Sequence, residues 1–252
     1  MHLRELIDWL DTTLDAHAVD DYGPNGLQVE ASDEIRKVAL GVTSNLRFIE
    51  AAAEWGADLA VVHHGIYWKG APSTITGALG ARVRALIGSK CSLAAYHLPL
   101  DGHPTLGNAV SLANELGLPD QEMAFNHRGL NVGCVATCAN PINSDNLLSA
   151  LKERINPDTL GFCHGPAEIK RVGIVTGGAA RDVQEALRLG CDAFITGEAG
   201  EYSQATAYEE GIHFFATGHH RSERFGPQAL GTTLANTFAE LDVTFIDVDN
   251  PV

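Results

Sequence analysis

Leu3, Leu6, Ile7, Leu10 and Leu14 recur at helical spacing with Glu5, Asp8 and Asp11 between them, which predicts an amphipathic surface helix over residues 2–14. Tyr22-Gly23-Pro24-Asn25-Gly26 is turn chemistry, and Leu27-Gln28-Val29 leaves it extended. Val38 to Thr43 has a strand pattern. Ser44 or Asn45 can cap a helix over 45–55 with Phe48, Ile49, Ala52 and Ala53 on its apolar face, ended by Gly56. The apolar run from Asp58 to Val62 predicts a buried strand that delivers His63 and His64. A helix over 74–88 precedes a strand from Ser92 to Tyr96, which delivers His97. The next helix starts near Pro104 and Asn108 and closes at Gly117.

After a polar stretch at 119–128 the pattern resumes. It offers a strand at 129–137, a helix at 144–154 capped by Ser144 or Asp145, and a strand at 159–163. Val172 to Thr176, a helix over 179–189 and the run Gly190 to Ile195 then repeat the Val38–Val62 unit at constant spacing. Val38 matches Val172, Gly56 matches Gly190 and Asp58 matches Asp192, while His63 and His64 fall on Gly197 and Glu198. A second match at a shorter spacing sets His97 on His219 and Asp101 on Glu223. A repeat of this length implies a duplicated domain rather than a solenoid. The expected fold is α/β: two similar domains related by internal duplication, residues 1–125 and 126–252, each with a largely parallel sheet.

Composition narrows the function. Thirty-two acidic against 17 basic residues give a formal net charge of −15, a surface that repels long polyanions and argues against nucleic-acid or anionic-membrane grooves. No basic start precedes an apolar stretch and no apolar run is long enough to span a bilayer, so the expected location is cytoplasmic. The 5 Cys (91, 134, 138, 163 and 191) are odd in number and form no CxxC pair, which predicts reduced, buried thiols.

The chemistry-bearing residues stand where predicted strands end. In open α/β sheets ligands collect at the carboxyl ends of strands. His63, His64, His97 and His219 each occupy such an end, and two of them are followed at the fourth residue by a carboxylate, Asp101 or Glu223. Residues i and i+4 share a face if the chain turns helical, which suits His219–Glu223; Pro99 favours a loop for His97–Asp101. Neighbours on a strand point to opposite sides, so His63 and His64 reach one ion only if Gly65 lets the chain bend. Otherwise each serves its own ion, and with two carboxylates available as bridges the pattern favours two divalent transition-metal ions. Imidazole and carboxylate ligation accepts Zn, Mn, Fe, Co or Ni. Thr176-Gly177-Gly178-Ala179 is either a phosphate cradle or a tight turn. Tyr67, Trp68 and Lys69 form either a substrate wall with one cation or an interface. His103 and His220 neighbour the candidate ligands.

Several ordered motifs resemble those of the GTP cyclohydrolase 1 type 2 homologue family, the YbgI-like proteins. They are Tyr22-Gly23-Pro24-Asn25-Gly26-Leu27-Gln28-Val29, Val61-Val62-His63-His64-Gly65 with Trp68-Lys69, His97-Leu98-Pro99-Leu100-Asp101 continuing to Asn108, Thr196-Gly197-Glu198, and Gly218-His219-His220 with Glu223. The likeness runs from end to end. It implies two α/β domains facing a dinuclear metal site, ring-shaped homohexamers, and His63, His64, Asp101, His219 and Glu223 as ligands with His97 close by. The family name implies a cyclohydrolase acting on a purine nucleotide. The expected function is therefore metal-dependent hydrolysis of a small molecule, a purine nucleotide by the family name, with His97 as catalytic proton relay. The alternative is a metal-binding or metal-delivery protein without turnover.

Overall fold

The computed structural model describes residues 1–72, 74–118 and 120–252. It divides into two compact units, Met1–His103 with Pro227–Asp249, and Pro104–Gly226 with Asn250–Val252.

The first unit begins with α1 (Leu3–Leu14), whose buried residues are the five predicted from its period. His2 and Glu5 close a capping box at its start. There follow β1 (Gly26–Val29), β2 (Lys37–Thr43), α2 (Leu46–Trp55), β3 (Leu59–His64), α3 (Gly77–Ser89), β4 (Ser92–Ala95) and a single-turn α4 (Leu98–Asp101). Asn45 caps α2 by accepting the Phe48 N–H at 2.9 Å. The helix lies so close to β2 that a Cβ at Gly41 would sit 2.3 Å from the Phe48 ring. Phe48, Ile49, Val62, Leu86 and Leu93 fill the core on that side, each burial contributing about 1.5–3 kcal/mol.

The second unit holds α5 (Asn108–Glu115), β5 (Asp120–His127), β6 (Leu130–Ile142), α6 (Ser144–Arg154), β7 (Leu160–Cys163), β8 (Ile169–Ile174), α7 (Val183–Arg188), β9 (Ala193–Thr196), α8 (Ser203–Glu210), β10 (His213–Ala216) and the one-turn α9 (His219–Ser222). Its strands form a six-stranded sheet in the order β5-β6-β8-β9-β10-β7. Only β8, β9 and β10 run parallel; β5, β6 and β7 pair antiparallel, so this sheet is mixed rather than largely parallel. The polar stretch at 119–128, to which the sequence pattern assigns no element, contains the edge strand β5, and its first residue, Pro119, lies outside the described residues. Phe125 is the one buried residue of β5, so no hydrophobic alternation marks it. Asn143, not Ser144 or Asp145, caps α6.

The chain then returns to the first unit through α10 (Phe225–Thr237) and β11 (Asp242–Phe245). With β11 parallel to β2, the first sheet reads β1-β4-β3-β2-β11, and only β1 is antiparallel. The single cut expected after residue 125 is thus replaced by an interleaved division, because the last strand completes the first sheet.

Each unit contains the same clip. Asp58 Oδ2 accepts the N–H groups of Arg36 (2.8 Å) and Lys37 (2.9 Å). Asp192 Oδ2 accepts those of Lys170 (2.8 Å) and Arg171 (3.0 Å). The parallel registers agree as well, Val38 opposite Leu59 and Val172 opposite Ala193.

Candidate metal centre

In the first unit the carboxyl ends of β2, β3 and β4 gather the imidazoles. His63 is fully buried, and its Nδ1 donates to the Tyr96 carbonyl at 3.1 Å, on the β4 side of the strand. His64 Nδ1 meets Thr43 Oγ1 at 3.1 Å, on the β2 side. Anchored in opposite directions within the sheet, the two rings tilt together until their centroids are 4.6 Å apart. His63, His64 and His97 can therefore present one nitrogen each within 4.8 Å of one another. The alternation that should separate neighbouring strand residues is overridden at this strand end. A Cβ at Gly65 would lie 2.4 Å from the Gln28 side chain and 2.7 Å from Ala95, so only glycine lets the chain leave there.

His97 is held by groups that sequence reasoning did not single out. Its Nδ1–H donates to Asp21 Oδ1 at 2.8 Å, and its backbone N–H donates to Asn25 Oδ1 at 2.8 Å. Asp21 Oδ2 also accepts Leu98 N–H at 2.8 Å and the Asn25 amide at 3.0 Å. Burial alone would push the Asp21 carboxyl up, but the His97 ring and these donors outweigh it and bring it down to about 2. The carboxylate is therefore ionised, the proton sits on Nδ1, and Nε2 is the nitrogen that His97 offers. Pro99 lies in the first turn of α4, where a missing N–H costs nothing, so a helical turn replaces the expected loop. That turn brings Asp101 Oδ2 to 3.6 Å from His63 Nε2, with Asp101 only 7% exposed.

The second unit builds a cradle from strand-end glycines. His219 opens α9, and its Nε2 lies 3.1 Å from Oε2 of the buried Glu223, one helical turn on. Its Nδ1 meets Glu198 Oε1 at 2.6 Å. Burial disfavours a charged His219, yet Glu223 and then Glu198 overcome it and raise the imidazole to about 9. A divalent cation is the natural competitor for the proton on Nε2, since metal and proton need the same lone pair. Gly177, at φ +68°, makes room: a Cβ there would sit 2.1 Å from Glu223 Oε1. Its N–H donates to Ser222 Oγ at 3.0 Å and its carbonyl accepts Gly197 N–H at 3.0 Å and Glu198 N–H at 3.1 Å. The Thr176–Ala179 stretch is thus a tight turn shaped around His219 and Glu223, with its Gly177 groups already engaged.

His63, His64 and His97, and the pair His219 and Glu223, carry imidazole and carboxylate donors of the kind that hold a metal ion. The family model described as Duf34/NIF3 (NGG1p interacting factor 3) matches residues 1–251 of the chain. The chain belongs to the Duf34/NIF3 family. A Vibrio cholerae relative named GTP cyclohydrolase 1 type 2 homolog is 42% identical over 254 residues, covering 100% of both chains. Among solved structures, protein ybgI, described as of unknown function, is similar at 38% identity and a TM-score of 0.94 over 100% of both chains. A Thermus thermophilus protein is similar at 29% identity and a TM-score of 0.90, again over 100% of both.

The other candidates in this Duf34/NIF3 chain are also located. Trp68 packs near His64 and His97, with ring centroids 5.8 Å and 5.2 Å away. His220 is buried, and its N–H donates to the Val252 carbonyl at 2.9 Å. Burial holds the His103 imidazole below its ordinary value. Cys91, Cys134, Cys138 and Cys191 are free and buried, while Cys163 is exposed, contrary to the expectation that all five are buried. Burial pushes Cys91 and Cys134 up to about 12, far from reactive thiolates. No helix among the described residues is long and apolar enough to cross a membrane.

Proposed function

We propose that this Duf34/NIF3 protein is a metal-dependent hydrolase acting on a purine nucleotide, with two divalent transition-metal ions per chain held by His63, His64, Asp101, His219 and Glu223. The observation that carries the reading is how the imidazoles are held. The Nδ1 atoms of His63, His64, His97 and His219 are occupied by a carbonyl, a hydroxyl and two carboxylates, which leaves each Nε2 as the coordinating or proton-carrying atom. The repeated aspartate clip and strand register support a duplication as the origin of the two halves of the ligand set. Bound divalent ions supply Lewis acidity and lower the pKa of coordinated water.

Within that site the chain's own groups have distinct roles. Asp101 and Glu223, both buried, neutralise and position cations. His97 takes up and returns a proton at Nε2 while Asp21 keeps Nδ1 protonated. The purine nucleotide as substrate rests on the name carried by relatives such as the Vibrio cholerae protein. A homohexamer rests on family likeness and is tested by sedimentation; a cytoplasmic location is tested by fractionation.

The test is purine ring opening, followed by ultraviolet absorbance, in wild type and Glu223→Ala. The reading expects metal and turnover to be lost together. Turnover that survives in a metal-free variant contradicts it. Metal bound without consumption of GTP or related purine nucleotides assigns the protein to metal binding or delivery instead.

A further inference from the structure

Two aromatic rings stand at the mouth of the first unit's histidine cluster. Trp68 is 36% exposed and Tyr22 is 41% exposed, two large rings left partly open to solvent. Trp68 lies nearly perpendicular to His97, with centroids 5.2 Å apart and an interplanar angle of 84°. Tyr22 approaches the same imidazole at 6.0 Å and 67°. Neither ring stacks flat on a histidine.

The two residues come from separate loops that are clipped together. Lys69 N–H donates to the Tyr22 carbonyl at 2.7 Å. A Cβ on Gly23 would lie 2.4 Å from the Tyr67 carbonyl, so the loops touch where only glycine fits. Rings fixed in this way lose little further entropy when a ligand arrives. The cation beside them, Lys69, is exposed and ion-paired with the likewise exposed Asp20, which offsets its charge locally. Asp21 is committed to His97. What this wall offers is therefore aromatic surface rather than positive charge, and the ligand part that matches it is a planar ring rather than a phosphate.

We infer that Trp68 and Tyr22 form the subsite for a planar heteroaromatic ring, a purine base in the reading above, and hold it against His97. This rests on the proposed hydrolase function for the identity of the ring, while the clamp itself rests on exposure and ring geometry. Base–aromatic stacking is sensitive to loss of the ring and tolerant of exchange between aromatics.

The experiment is calorimetric titration of the full chain, with its metal content as purified, using guanosine as probe and ribose 5-phosphate as the probe lacking a base. Trp68→Ala is expected to weaken guanosine binding roughly tenfold or more, Trp68→Phe to retain most of it, and Tyr22→Leu to weaken it to a smaller degree. Circular dichroism and melting temperature check that each variant is folded. Unchanged guanosine affinity in folded Trp68→Ala and Tyr22→Leu overturns the clamp, as does equal binding of ribose 5-phosphate. A Trp68→Ala variant that changes its mass in solution but keeps its guanosine affinity also overturns it, since the ring then covers an interface. Metal per chain, measured on the same samples, separates the two proposals: full metal with no guanosine binding refutes the clamp alone, and guanosine binding without metal refutes the hydrolase reading alone.

Discussion

Replacing Asp21 by Asn keeps the shape of the side chain and removes its charge, which isolates what that buried carboxylate does. In the native protein it accepts from His97 Nδ1, Leu98 N and the Asn25 amide at 2.8, 2.8 and 3.0 Å. An ordinary value of 3.8 lowered to about 2 corresponds to about 2 kcal/mol of stability at neutral pH. The sign follows from a depressed folded-state value: the contribution is complete above pH 3.8 and is lost as pH falls through about 2. An asparagine must turn its amide toward at least one of these donors, leaving a buried N–H facing an N–H at a cost of about 1–3 kcal/mol. Urea denaturation of wild type and Asp21→Asn is therefore expected to differ by about 2 kcal/mol at pH 7. That gap should narrow as both proteins are acidified from about pH 4 toward pH 2. Equal stability at pH 7, or a gap that does not change on acidification, would refute the reasoning. The same substitution frees His97 to rotate, so it should also weaken any ligand bound at Nε2 by about 10- to 100-fold.

In the metal-free protein His219 sits at about 9, raised from 6.5, so its stabilising contribution is present below pH 6.5 and fades as pH rises through about 9. Glu198→Gln, which removes one of its two carboxylates, should bring the imidazole down, read by NMR titration of the His219 ring. Gly177→Ala places a methyl 2.1 Å from Glu223 Oε1 on a backbone at φ +68°, and is expected to lower the melting temperature and the metal content together. An unchanged melting temperature would show that Glu223 has room to move.

Much of this fold is legible in the chain because its parallel strands are short apolar runs separated by helices. Phe48, Ile49 and Ala52 mark α2 as surely in sequence as in structure, and the Asp58 and Asp192 clips lie where the repeat set them. The elements that escaped are those whose signal is weak. β5 is a polar edge strand with one buried ring, and α8 buries only Ser203 and Ala207. β11 was not expected at all: it follows a crossing of the chain back to its first unit, a long-range event that no local period records.

The site divides in the same way. His63, His64, His97, Asp101, His219 and Glu223 were visible as histidines at strand exits with carboxylates at helical spacing. Asp21 was not, because it precedes His97 by 76 residues and lies in a turn whose chemistry explains itself without function. Glu198 left a trace, as the residue that falls on His64 when the two sequence segments are aligned, and the structure turns it toward His219 Nδ1. The second match in the repeat also needs adjustment. Ser92 and His213 occupy equivalent places opposite Leu59 and Ala193, so strict register sets His97 on Gly218. His219 stands one residue further on because α9 begins with it, whereas His97 is the residue before α4.

The central claim, that these imidazoles and carboxylates are metal ligands, is tested most directly by elemental analysis of protein purified without chelator or affinity tag. Wild type should carry about two transition-metal ions per chain, and folded His64→Ala and Glu223→Ala should lose them. Wild-type protein that carries no transition metal and takes none up on dialysis against Zn, Mn, Fe, Co or Ni would contradict it.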